Sequence, residues 1–296
     1  MTCRAWTRSV ALALTTVLAV VLSACGTTSS AGSTDKEITL GLLSWEESTA
    51  VGNVWAVLLE SRGYQVTLQQ VDAGPAFDAT ARSQIDVLLE MWPNYHAEYM
   101  KKYEGKIASL GQWYEPTDIN LTVPDYVTNV NSIADLRGKE SEFGDRIVGI
   151  EAGSTTMKLL AEDVAPAYGL TGYDLVQSST PAMLAELRKA VAEQRPIVVS
   201  LWKPHWAYAE LPLKSLADPQ KKFGGAGTID TVAAVDFARE NPDVAEMFGR
   251  FSLDEQQLAD LMLSLERAGK GNERAGAQAW IDANRQLTDR WLGAGR

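Results

Sequence analysis

The chain has 296 residues, 46% of them hydrophobic, with 27 Lys and Arg against 38 Asp and Glu for a formal charge of −11, and it holds only two Cys and two His. An acidic surface of this kind repels nucleic acid and anionic lipid headgroups, while the apolar share suffices for a sizeable core and the length suits two lobes better than one. Cys3 and Cys25 both lie near the start, so the body of the chain offers no thiol as nucleophile or metal ligand, and His96 and His205 are too few for a Cys/His zinc site. No cofactor or metal is expected.

Arg4 and Arg8 precede an apolar run from Val10 to Leu22 that is too short to span a bilayer as a helix. It ends in Leu22-Ser23-Ala24-Cys25, the pattern of a bacterial lipobox. The expected reading is a signal peptide over 1–24, lipidation of Cys25 and a small, polar, flexible tether over 25–36. Loss of Arg4 and Arg8 leaves the mature chain more acidic still.

The body then alternates between the two hydrophobic periods. Ile38 to Leu43 predicts a short buried strand, and Ser48 to Arg62 a helix with Val51, Val54, Trp55, Leu58 and Leu59 on one face. Tyr64 to Val71 predicts a second strand, Asp72-Ala73-Gly74-Pro75 a break, Ala76 to Arg82 a helix and Ile85 to Leu89 a third buried strand. After a surface segment from Asp135 to Asp145, a second βαβ set follows. Its strands are expected over Ile147 to Ile150, Leu175 to Gln177 and Ile197 to Leu201, with helices near Thr155 to Tyr168 and Pro181 to Glu193. Gly224-Gly225-Ala226-Gly227 reads as a flexible loop without dinucleotide spacing, and from Thr231 onward the pattern is mostly helical, with Trp280 and Trp291 as packing residues. The expected class is α/β with two lobes: 37–130 as the first part of lobe I, 131–214 as lobe II and 215–296 returning to lobe I.

Three tryptophans stand apart from the other six. Trp45 lies in Ser44-Trp45-Glu46-Glu47, Trp92 in Met91-Trp92-Pro93-Asn94-Tyr95-His96 and Trp202 in Leu201-Trp202-Lys203-Pro204-His205-Trp206, each after an expected strand. Strand ends deliver side chains to the rim of an open α/β sheet, where ligands bind, and converging indole faces attract a permanent cation. Core packing is the competing explanation for any single indole, but Pro or acidic residues directly after these three favour loops. In the other lobe, Glu151-Ala152-Gly153-Ser154-Thr155-Thr156 opens a helix whose first free N–H groups could receive a carboxylate, or be satisfied by a plain Ser154 or Thr155 cap. A quaternary ammonium ligand would then be held with affinity flat from about pH 6 to 9, since neither the cation nor indole titrates there.

The order of Ser44-Trp45-Glu46-Glu47-Ser48, Val71-Asp72-Ala73-Gly74-Pro75, Met91-Trp92-Pro93-Asn94-Tyr95-His96, Val130 to Leu136, Gly149 to Ser154, Ser178 to Leu184 and Trp202-Lys203-Pro204-His205-Trp206 resembles the substrate-binding proteins of glycine betaine, choline and related osmoprotectant ABC importers over almost the whole mature chain. The resemblance implies a type II periplasmic-binding-protein fold with the ligand in the interlobe cleft, a cognate permease and ATPase as partners, and no enzymatic activity. Residue by residue it implies cage positions for Trp45 and Trp202, carboxylate donors in the backbone amides near Thr155 and Thr156, and an assisting role for His96. His205 stands in the most specific motif. Family members usually show Trp-x-Pro at the third cage position, whereas here Trp92 is adjacent to Pro93, so either Trp92 or Met91 lines the cleft. Glu47 stands where choline-binding relatives carry an Asp that contacts the ligand hydroxyl. A solvated rim is the commoner fate of a Glu, and Glu46 and Glu90 are unusual beside a cage. Glycine betaine or a related betaine is the favoured ligand. A choline- or carnitine-type binder and a non-transport sensing lipoprotein are the alternatives. No Gly-x-Ser-x-Gly elbow, His-Glu-x-x-His or P-loop occurs to support a hydrolase.

Overall fold

A computed structural model describes residues 36–293; the expected signal peptide over 1–24, Cys25 and all of the expected tether but Lys36 lie outside the described residues. The chain opens with β1 (Glu37–Leu42), α1 (Glu46–Glu60), β2 (Gln65–Gln70), α2 (Ala73–Ala81), β3 (Val87–Met91) and α3 (Pro93–Lys102). Strands β1, β2 and β3 pair in parallel, as βαβ connections require. Helix α1 lies against β1 at close range: a Cβ on Gly52 would overlap the Leu42 side chain. The expected break at 72–75 is the start of α2 itself, with Asp72 as N-cap and Pro75 in the first turn, where its missing N–H costs nothing.

Strand β4 (Ile107–Pro124) organises the rest. Its first part pairs antiparallel with β9 (Gly227–Ala234), which in turn pairs with β3, and its second part pairs antiparallel with β7 (Val199–Lys203) and β8 (Leu213–Ser215). Beyond β7 lie β5 (Arg146–Val148) and β6 (Asp174–Val176), both parallel to their neighbours. Among the described residues the strand order is therefore β2-β1-β3-β9-β4-β7-β5-β6, with β8 on β4. Neither β4 nor β9 stands out in the sequence. In β4 the alternation is interrupted by Gly111 and Pro116 and by three shifts of register against β9, and the residues 227–234 follow a glycine-rich loop.

Helices α4 (Thr155–Leu159) and α5 (Ala165–Tyr168) are joined by a π-helical turn over Leu160–Val164 into one run that matches the expected 155–168. They are followed by α6 (Thr180–Ala192) and the short α7 (Ala207–Glu210), which ends the chain's passage around β7. Of the stretch expected to be mostly helical from Thr231, residues 231–234 belong to β9, and the rest is helical: α8 (Val235–Glu240), α9 (Pro242–Gly249), α10 (Glu255–Ala268), α11 (Glu273–Ala283) and α12 (Arg285–Trp291). Its apolar stripes turn inward. Trp280 and Trp291 are buried and stacked 6.1 Å apart, and Trp55 from α1 meets Phe248 at 4.1 Å, so these indoles fill core. No helix among the described residues is long and apolar enough to cross a membrane.

Candidate functional site

Trp45, Trp92 and Trp202 converge. Each sits at a strand end: Trp45 caps α1 just beyond β1, Trp92 caps α3 just beyond β3, and Trp202 lies in β7 opposite Ile119 of β4. Ring centroids of Trp45 and Trp92 are 6.3 Å apart and nearly perpendicular at 81°, and those of Trp45 and Trp202 are also 6.3 Å apart, tilted by 54°. The three line one pocket together with Glu47, Tyr95, His96, Ile119, Ile150, Thr155 and Thr156. It is a narrow slot of about 20 Å³, room for about one water.

The geometry decides between Met91 and Trp92. Met91 is buried on the other side of β3 with Leu43, Phe77 and Leu88, so it is Trp92 that reaches the pocket. The residue after the last strand pair is free of the strict alternation of the sheet, and Pro93 at the first helical position turns the chain there. Local hydrogen bonds then lock the group: the Trp92 backbone N–H donates to His96 Nδ1 at 3.1 Å, and the Trp92 indole N–H donates to Glu90 Oε1 at 2.7 Å. An accepting Nδ1 requires the proton of neutral His96 to be on Nε2. Burial pushes the His96 pKa down to about 4, and its ring lies parallel to that of Trp45, 10° between planes.

Two carboxyl groups sit in the same region. Glu47 and Glu90 are fully buried, against the expectation of a solvated rim for acidic residues near the pocket. Burial, followed by the charge of Glu90, pushes the Glu47 carboxyl well above the usual carboxylate range, and burial pushes Glu90 up to about 8 against the opposing Trp92 hydrogen bond. Glu46 points elsewhere: its Oε2 is 3.4 Å from His205 Nε2.

His205 does not line the pocket. It accepts the Ala207 N–H on Nδ1 and packs edge-on behind Trp202 at 4.9 Å, which makes it a support of that indole. Ser154 is also displaced from the lining; its Oγ accepts the Met157 N–H as the cap of α4, leaving Thr155 and Thr156 as the residues of this helix start at the pocket. Tyr95, Ile119 and Ile150 also line the pocket, beyond the residues that the sequence points to. Tyr95 belongs to the Met91–His96 motif and its hydroxyl donates to the Phe223 carbonyl at 2.7 Å, whereas Ile119 belongs to β4, which has no clear hydrophobic period.

A family profile described as the substrate binding domain of ABC-type glycine betaine transport system (OpuAC) matches residues 36–283. The chain belongs to this family. Its structure is similar to that of a glycine betaine/L-proline-binding protein (ProX) from Borrelia burgdorferi, with TM-score 0.80 and 30% identity over 86% of this chain and 96% of that one. It is also similar to lactococcal OpuAC in its closed-liganded conformation with glycine betaine, with TM-score 0.79 and 29% identity over 87% and 100% of the two chains. Among curated proteins, the glycine betaine/carnitine transport binding protein GbuC of Listeria monocytogenes is 33% identical over 147 residues, 49% of this chain and 48% of that protein, so the match spans about half of the relative's length. The fold is accordingly the two-lobed type II periplasmic-binding-protein fold, and the family is one of transport binding domains rather than enzymes.

Proposed function

We propose that the protein is the extracytoplasmic solute-binding component of an ABC importer and captures a quaternary ammonium compound, glycine betaine or a related betaine, between Trp45, Trp92 and Trp202. The observation that carries this reading is the convergence of three indoles from β1, β3 and β7 on one pocket that also contains the opening residues of α4. Cation–π attraction would hold the ammonium, the backbone N–H groups at Thr155 and Thr156 the carboxylate, and His96 Nε2–H would assist. The slot is too narrow for such a ligand as it stands, so admission requires Trp202 to part from Trp45 and Trp92, a motion of the lobes proposed at 37–130 with 215–296, and at 131–214. A lipid on Cys25 would tether the protein beside its cognate permease and ATPase.

Glu47 supports a second reading, a choline-type binder, because its carboxyl lines the pocket beside the Trp202 indole with no cation paired to it. Dissociation constants for glycine betaine and choline, measured side by side on the wild type and Glu47→Gln, separate the two. Helix amides that hold a carboxylate predict betaine binding at least about tenfold tighter, since charge-assisted hydrogen bonds of roughly 1.5–3 kcal/mol are lost with the hydroxyl analogue. Tighter choline binding in the wild type, lost in Glu47→Gln, overturns the betaine assignment.

A further inference from the structure

Glu47 and Glu90 form a buried acidic pair with no cation of their own. Both are fully buried, and the charged groups acting on Glu47 are Glu90 and Glu46, themselves acidic. Glu90 keeps one oxygen on the Trp92 indole and leaves the other unpartnered, while Glu47, which lines the pocket, faces only neutral N–H groups, the Trp202 indole among them, and no cation. The other titratable groups in the surroundings are Tyr114 of β4, Tyr95 and His96 of α3 and, through Glu46, His205 after β7. None of them neutralises the pair: His96 is held neutral by burial, burial likewise keeps Tyr95 protonated and raises Tyr114 to about 12, and His205 faces Glu46. Two neighbouring carboxyls in a buried site cannot both ionise readily without a counter-charge, so the pair retains a proton until one arrives.

We propose that the Glu47–Glu90 pair is a proton-exchange counter-ion: an organic cation entering the indole pocket takes the place of a carboxyl proton, and ligand uptake is coupled to proton release. This inference rests on the quaternary ammonium reading of the pocket, and it replaces the flat pH dependence expected of indoles and a permanent cation alone with one set by the buried carboxyls. In the exchange one carboxyl O–H bond breaks, its electron pair stays on the oxygen, and the proton passes to solvent water or a buffer base while the ammonium keeps all its bonds. A permanently charged cation is the ligand class that drives this step, because it brings a charge and cannot surrender a proton of its own. A ligand carrying its own carboxylate drives it less. With the Glu90 carboxyl up at about 8, the proton is in place at neutral pH, and affinity rises with pH by up to tenfold per unit until the free pair has titrated.

The test is calorimetric titration of the whole protein with choline and with glycine betaine at pH 7, in buffers of differing ionisation enthalpy, where the slope of observed heat against that enthalpy counts protons released. The expected result is about half to one proton per choline in the wild type, fewer per glycine betaine, and close to none in the doubly substituted Glu47→Gln/Glu90→Gln protein, with choline affinity tightening between pH 6 and 8 only in the wild type. Normal binding with zero slope in the wild type overturns proton exchange and leaves the quaternary ammonium reading standing. Release that persists in the double variant assigns the proton to another group and also overturns it. Absence of binding by either compound across the pH range overturns both readings. Because the wild-type slope decides the matter alone, a double variant that fails to fold does not protect the proposal.

Discussion

Indole has two fates in this chain, and position relative to a strand end separates them. Trp55, Trp280 and Trp291 stack into the core, whereas Trp45, Trp92 and Trp202 leave their strands at one rim and face a common space. Trp202→Ala and Trp45→Ala are each expected to weaken ligand binding by roughly 1–2 kcal/mol or more while leaving a cooperative thermal transition, the size of a desolvated cation–π contact. Unchanged affinity in both would remove the cage. The carboxyl pair and His96 impose opposite pH dependences on the ligand-free fold. A carboxyl whose folded pKa is raised contributes its stability below the unfolded value of 4.5 and loses it as pH rises through about 8. His96, lowered from 6.5 to about 4, contributes fully above 6.5 and loses that contribution as pH falls through about 4. Above pH 6.5 only the carboxyl effect remains, so denaturation of the ligand-free wild type should show stability falling by roughly 2 kcal/mol between pH 6.5 and 8, with a flatter profile in Glu90→Gln.

At the scale of elements, the exit from β3 into α3 shows how a short motif builds geometry. Within seven residues Glu90 receives the indole N–H of Trp92, Pro93 opens the helix, and His96 turns back to accept the Trp92 backbone N–H, so that two pocket residues are oriented by their own neighbours. The start of α4 depends in the same way on Ser154, whose hydroxyl satisfies the Met157 N–H. Ser154→Ala is expected to cost about 1 kcal/mol in chemical denaturation, and to weaken a betaine more than choline if the amides at Thr155 and Thr156 hold the carboxylate. Equal losses for both ligands would confine Ser154 to capping. In α1, Gly52 allows the helix to lie on Leu42, and Gly52→Ala should destabilise by about 1–3 kcal/mol through overpacking despite the higher helix propensity of Ala.

Across the described residues, one sheet runs through β4, and the pocket lies where the segments just beyond β1 and β3 meet Ile119 of β4 and Trp202 of β7. A ligand that binds only the folded form should add about 2.7 kcal/mol of stability at a hundredfold excess over its dissociation constant, visible as a rise in thermal midpoint with glycine betaine and its reduction in Trp202→Ala. The local sequence by itself determined most of this architecture. Strands β1, β2, β3, β5, β6 and β7 and the helices between them, α3 excepted, follow from hydrophobic period and punctuation, because each of these patterns is local and short. The three indole motifs were legible for the same reason, since each couples a buried strand to a helix- or turn-forming residue. What only the tertiary structure decided depends on partners far away in the chain. Strands β4 and β9 are strands because each completes the other's hydrogen bonds across more than a hundred residues, which outweighs a pattern broken by Gly111 and Pro116. The burial of Glu47 and Glu90 likewise has no local signature: a Glu one or two residues from a tryptophan is ordinarily solvated, and here the packing of α1 and β3 against the rest of the sheet removes both from water.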